Sequence, residues 1–295
     1  MHWTIEPFQR RCSIAYFTME IALRPEIRTY SGGLGVLAGD TARSAADLRL
    51  PMVFVSLVCR QGYLHQEIDS EGHQVHRPDP WNPADWCTPL DAQVAITLEG
   101  RKVWIRPWLY GCTGALGQPV PVILLDTDLD ANHPADRQIT DSLYGGDESY
   151  RLKQEAVLGI GGLRILRALG FTLRTFHLNE GHAAFLTAEL LKRYPRRSNT
   201  FESEGRRYDY SPVLTRCLFT THTPVAAGHD KFSYDLVEKV LGEEIDIQEI
   251  RRYAGEDNCN MTELALNLSG FVNGVATRHA ETTQQMFPGY RVHAI

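Results

Sequence analysis

The sequence predicts an α/β fold, a parallel sheet flanked by helices. Short apolar, β-rich runs alternate along the chain with longer segments of helical period, the pattern of strands joined by crossover helices. Segments carrying glycine or histidine follow several of these runs, as loops leaving the edge of such a sheet do. The 295 residues, 43% of them hydrophobic, are enough to bury a substantial core, read here as one domain over 1–295.

Residues 13–18 (SIAYFT) read as the first strand, 34–48 as a helix and 52–58 (MVFVSLV) as a second strand, together a βαβ unit. Two β-like runs between 93 and 109, VAITLE and KVWIRPWL, meet at Gly100 and Arg101 and predict a hairpin insertion. Residues 121–125 (PVILL) return to the central sheet. From 150 to 169 the apolar residues Leu152, Ala156, Ile160, Leu163, Leu166 and Leu169 recur at helical period, and Gly170 stands just past the end. Gly159, Gly161 and Gly162 inside this buried helix each cost about 1 kcal/mol relative to alanine, so a backbone or a ligand is expected close by. A strand at 174–178, a helix at 180–194, a polar loop at 195–212, a strand at 213–220 and a mostly helical remainder to 287 complete the reading.

The 30 Lys and Arg against 36 Asp and Glu leave a net charge of −6, without blocks of one sign. That argues against nucleic acid, which needs clustered positive charge. None of the six cysteines forms a C-x-x-C pair, so neither a zinc site nor a disulfide framework is indicated and buried, reduced thiols are expected. The first dozen residues lack the apolar core of a signal peptide, and no run of about 18 apolar residues occurs, so a cytoplasmic protein without membrane partners is expected.

Four segments carry candidate chemistry. SGGLGVLAGD (31–40) places Gly32, Gly33, Leu34 and Gly35 at the start of a helix, where unpaired N–H groups and a partial positive charge favour a phosphate. A structural turn competes with that reading. A dinucleotide fingerprint is opposed by the roughly dozen residues between strand and glycines and by Cys59-Arg60 where an acid should meet ribose. FHLNEGHAAF (176–185) sets His177, Asn179, Glu180 and His182 at a strand's carboxyl end; the alternatives are a helix cap, or a metal site whose spacing lacks the i, i+4 histidine pair. FTTHTPVAAGHDKF (219–232) puts His222 directly after another strand, and two such loops on one sheet are expected to converge. YGGDESYRLKQE (144–155) opens the glycine-bearing helix with Asp147, Arg151, Lys153, Gln154 and Glu155; the bland reading is a solvated first turn pairing Asp147 with Arg151 and Arg151 with Glu155.

These four segments, with SIAYFTMEIAL (13–23) and FVNGVATRHAE (271–281), closely resemble the α-glucan phosphorylase family from about residue 12 to 295. The resemblance implies a glycosyltransferase of two Rossmann-like lobes, the GT-B type, of which this chain matches the N-terminal lobe. Members transfer glucose from an α-1,4-glucan to phosphate, giving α-glucose 1-phosphate with retained configuration. They use pyridoxal phosphate, whose anchoring lysine has no counterpart here. By motif, Gly32, Gly33 and Leu34 would face the phosphates and the glucose, with Gly35 and Arg151 beside them. His222 would contact the glucose, and Asn179, Glu180 and His182 would line its sugar side, although many relatives carry Asp at the position of Glu180.

The resemblance therefore implies α-1,4-glucan and phosphate or glucose 1-phosphate as partners, a separate C-terminal lobe or a second copy as a further one, and little activity in the isolated chain. The competing readings are a nucleotide-sugar transferase of the glycogen or starch synthase kind, which shares the Gly-Gly-Leu turn, and a non-catalytic carbohydrate-binding protein.

Overall fold

The structure is a computed structural model describing residues 3–196, 206–225 and 228–295. After α1 (Glu6–Arg11), β1 (Ile14–Thr18), α2 (Gly33–Asp47) and β2 (Met52–Leu57) form the expected βαβ unit, with Ile14 opposite Met52 in parallel register. β3 (His65–Ile68) and β4 (Gln74–Arg77) then make a largely exposed hairpin that the sequence does not announce, since neither strand has an apolar face to bury.

β5 (Thr88–Pro89), β6 (Val94–Leu98), β7 (Arg101–Thr113) and β8 (Pro119–Asp126) follow. The β6–β7 hairpin turns at Glu99 and Gly100, one residue earlier than expected, because both take positive φ (50° and 72°) while Arg101 already pairs with Leu98. β7 runs on to pair antiparallel with β8, so the hairpin extends the main sheet.

α3 (Pro134–Arg137) leads to the long helix, composed of α4 (Glu148–Ala156), a π-helical turn (Val157–Gly161) and α5 (Gly162–Ala168), and Gly170 at φ 83° ends it. β9 (Thr175–Asn179) passes through a single 3-10 turn into α6 (Phe185–Leu191). The helix expected from 180 starts late because Glu180, at φ 68° and ψ 167°, lies far from helical geometry. Half of the loop expected at 195–212, residues 197–205, lies outside the described residues.

Residues expected to begin a strand at 213 instead belong to α7 (Ser211–Leu214), where Pro212 suits a helix's first turn, and β10 is Cys217–Thr221. The remainder contains α8 (Tyr234–Leu241), α9 (Ile247–Ala254), α10 (Met261–Asn267) and α11 (Thr277–Met286). It also contains β11 (Lys231–Ser233), β12 (Asn258–Asn260), β13 (Phe271–Gly274) and β14 (His293–Ala294), each too short to register against a helical background.

Among the described residues ten strands share one sheet, in the order β14-β13-β10-β9-β1-β2-β8-β7-β5 with β6 on β7, parallel from β14 through β8. Alternation divides the core. Phe17, Val53, Val55, Ile123 and Leu125 face the long helix and α6, while Tyr16, Phe54, Val122 and Leu124 face Ala38, Ala42 and Ala45 of α2. Burial on both faces explains why these strands read as continuous apolar runs. All six cysteines are buried and none forms a disulfide. No helix among the described residues is long and apolar enough to cross a membrane.

The glycines of the long helix answer to packing rather than to a ligand. A Cβ on Gly159 would lie 2.5 Å from the Leu186 backbone nitrogen, one on Gly161 2.4 Å from Ile105, and one on Gly162 2.9 Å from Phe17 and Val55. At Gly159 the obstacle is backbone, which cannot rotate away. Gly159→Ala therefore destabilises the chain by about 1–3 kcal/mol in urea unfolding, overpacking outweighing alanine's better helix propensity. Equal or greater stability would show that α6 can retreat.

Candidate functional site

The chain grows outward from β1 through β2 to β8, then returns to the other side of β1 with β9, β10 and β13. The crevice at the carboxyl ends of β1 and β9 is thus a topological switch point, where ligands bind in sheets of this kind. Register sets Thr18 opposite Asn179 and Asn179 opposite Thr220. A cavity of about 440 Å³ opens there, lined by Leu34 from α2, Tyr63, Tyr144 and Arg151, Glu180 and His182 after β9, and His222 and Thr223 after β10.

A hydrogen-bond chain fixes the floor. The Thr18 hydroxyl donates to the Glu20 carbonyl (2.8 Å), and the Asn179 amide donates to Thr18 Oγ1 (3.0 Å). Asn179 Oδ1, 2.7 Å from His222 Nε2, is therefore the acceptor of that contact. Burial pushes the His222 pKa below the ordinary histidine value, with the Glu180 charge opposing, so the ring is neutral at pH 7. With its proton on Nε2, His222 keeps Nδ1 as a free acceptor.

His177, by contrast, serves the sheet. Burial, reinforced by His222, lowers its pKa to about 3, and its Nε2 donates (2.7 Å) to Thr220 Oγ1, whose own proton goes to Asn273.

Glu180 occupies a backbone region that is nearly the preserve of glycine, a strain of about 1–3 kcal/mol. Its Oε1 accepts the His222 N–H and, at 3.0 Å, the Thr223 hydroxyl, while its own N–H donates to the Thr220 carbonyl (2.9 Å). The carboxylate lines the cavity and pins the loop that carries His222.

At the opposite wall, Ser31 and Gly32 donate their N–H groups to Glu20 Oε2 (2.7 and 3.1 Å), and the Tyr144 hydroxyl donates to Oε1 (3.0 Å). A Cβ on Gly32 or Gly33 would meet nothing within 4 Å, so the first turn of α2 faces open space. Gly35 and Gly39 have a different reason. Added Cβ atoms there would fall 2.6 Å from Glu20 Oε2 and 2.0 Å from the Ala22 carbonyl, so this spacing lets α2 pack on residues 20–22.

Arg151 pairs with neither Asp147 nor Glu155. Asp147 caps α4 by accepting from the Tyr150 N–H (2.9 Å), and Lys153 pairs with Glu99 (2.9 Å). Arg151 reaches Asp230 (3.1 Å), which also meets His182 Nε2 (3.2 Å), and its guanidinium stacks 4.7 Å over the Tyr144 ring. Burial would raise the Asp230 pKa, but the His182 hydrogen bond and charge, then Arg151, bring it down to about 2. Gln154 donates to the carbonyls of Ile139 and Ser142 (both 2.9 Å), holding the loop before α4.

Convergence of the glycine turn with both histidine loops is what the motif resemblance requires. The chain matches no protein-family model. Over 93% of its length it is 37% identical to the maltodextrin phosphorylase of Thermococcus litoralis and 34% identical to the glycogen phosphorylase of Mycobacterium tuberculosis. The glycogen phosphorylase of Aquifex aeolicus is 29% identical over the same share. The chain is a relative of the α-glucan phosphorylases. It spans 33%, 34% and 41% of those three proteins, about a third of the length of the first two.

Sequence reasoning missed Thr18, Glu20, Tyr144, Thr223 and Asp230 as members of this cluster. Glu20 carried a signal, an acid two residues past a strand on the same sheet edge as the histidines. Asp230 carried none, since only the fold brings it across to Arg151.

Glu180→Gly and Glu180→Ala lose the same carboxylate, but only glycine relieves the backbone. Chemical denaturation should find the glycine variant more stable by about 1 kcal/mol after allowing for glycine's greater unfolded-state entropy. Equal stabilities would mean that Glu180 is not strained.

Proposed function

We propose that this chain is the N-terminal, sugar-binding lobe of an α-glucan phosphorylase of GT-B type, one domain over 1–295, acting in the cytoplasm on α-1,4-glucan and phosphate. The observation that carries the reading is the meeting of Leu34, Glu180, His182 and His222 in one cavity at the switch point of the sheet, in a chain related to glycogen and maltodextrin phosphorylases.

Neutral His222 accepts a hydroxyl of the terminal glucose at Nδ1, while Asn179 fixes its tautomer. Glu180 keeps the His222 loop in place, and Arg151 and His182, joined through Asp230, form the polar wall. The dipole of α2 faces negative charge at Gly32, Gly33 and Leu34. Cleavage of a glucosidic bond passes through an oxocarbenium-like species, which oriented dipoles and a neighbouring phosphate stabilise.

Pyridoxal phosphate supplies such a phosphate when bound. The open space above Gly32 and Gly33 fits that end of the cofactor, although the Ser31 and Gly32 N–H groups already serve Glu20. No lysine of this chain is assigned as its anchor.

Titration calorimetry with maltoheptaose tests the reading. The chain should bind it, and His222→Ala should weaken binding about tenfold, the effect of losing a buried hydrogen bond of about 1.4 kcal/mol. Binding of ADP-glucose in preference to maltoheptaose would place the site with nucleotide-sugar transferases instead. Phosphorolysis of maltodextrin with added pyridoxal phosphate should be undetectable for the chain alone, and turnover would overturn the assignment of the remaining machinery to a second lobe.

A further inference from the structure

Beneath the wall formed by Arg151, Asp230 and His182 lies Glu155, which the mechanism above does not use. Its side chain is fully buried, and neither carboxyl oxygen receives a hydrogen bond from any N–H or O–H donor. Leaving an ionised carboxylate in that state is far more costly than protonating it. Its carboxyl meets the carboxyl of Asp230, and two acceptors in contact require a proton between them. Asp230 is the better anion of the pair because Arg151 (3.1 Å) and His182 (3.2 Å) both face it. The other titratable groups around Glu155 are Arg151 on its own helix and the buried thiol of Cys259 from β12.

We propose that Glu155 is a positioning residue that carries a proton at neutral pH and donates it to Asp230, so that the two carboxyls hold one negative charge and Asp230 stays seated between Arg151 and His182. Asp230 borders a cavity of about 500 Å³ beside the first, and its ion partner Arg151 lines both, so the placement of Asp230 bears on the wall that the two spaces share. The protonation stands on the full burial of Glu155 and on its two oxygens without a donor. Its consequence for sugar binding rests on the proposed function.

The sign of the pH dependence follows. Burial first, then the charge of Asp230, holds the Glu155 pKa well above 4.5, so the folded chain keeps a proton that the unfolded chain has released. Stability attributable to this residue is unaffected below pH 4.5 and declines as pH rises from there through the folded pKa. Glu155→Gln, which keeps a donor toward Asp230, should remove that decline.

Infrared spectroscopy of the full chain with carbon-13-labelled glutamate tests the proton directly. A protonated-carboxyl C=O band at pH 7 that disappears in Glu155→Gln is expected, and its absence from the wild type overturns the proposal. Calorimetry with maltoheptaose tests the positioning role. Glu155→Gln should bind within about twofold of wild type and Glu155→Met about tenfold more weakly, the effect of one lost buried hydrogen bond. Equal affinities for these two variants, whether high or low, overturn that role. If the wild type binds no maltoheptaose, the sugar-pocket reading fails while the infrared result still decides the state of Glu155.

Discussion

The carboxamide of Asn179 joins the two halves of the sheet where the chain reverses its direction of growth. Its amide is committed to Thr18 at the end of β1, so its oxygen is left for His222 after β10. Three strand ends thereby share one side chain that is wholly buried. A polar group in that position must satisfy both donor and acceptor, and the only arrangement that does so fixes the His222 ring and its tautomer. Asparagine suits the role because it offers a donor and an acceptor on one rigid plane; aspartate, ionised, would offer only acceptors.

Around this floor the charges answer one another across elements distant in sequence. Helix α2 has no acid in its first turn, and Glu20, from the end of β1, takes that place against Ser31 and Gly32. A Cβ on Gly33 would still meet nothing within 4 Å, so the turn stays open there. On the far wall Asp230 neutralises Arg151, and Glu180 spends its carboxylate on the His222 loop. Fixed dipoles and paired charges of this kind are set in place before any ligand arrives.

The motif-bearing strand ends were legible in the sequence because they combine two independent signals. Apolar runs such as MVFVSLV mark strands buried on both faces, and the polar residues immediately after them mark the carboxyl edge where ligands bind. The glycines of the long helix were legible as close approaches, although sequence alone did not distinguish a ligand from the packing of α6 and the sheet. What escaped was local or long-range. Glu180 breaks the helix pattern through a positive φ that no propensity reveals, and Val213 and Leu214 look like strand residues until Pro212 is weighed as a helix start. β13 has four residues, and the exposed β3–β4 hairpin has no hydrophobic face. Asp230 joins Arg151 only because the fold brings the residue just before β11 against α4, a fact of topology rather than of spacing.

The claim on which the site depends is that His222 is neutral, protonated on Nε2 and open at Nδ1 toward a sugar hydroxyl. Long-range nitrogen-15 NMR of the histidine rings at pH 7, with and without maltoheptaose, tests it most directly. The account predicts the neutral Nε2–H form for His222 and a shift of its Nδ1 resonance when the oligosaccharide is added. An imidazolium, an Nδ1–H tautomer, or an Nδ1 signal indifferent to saturating sugar would contradict it.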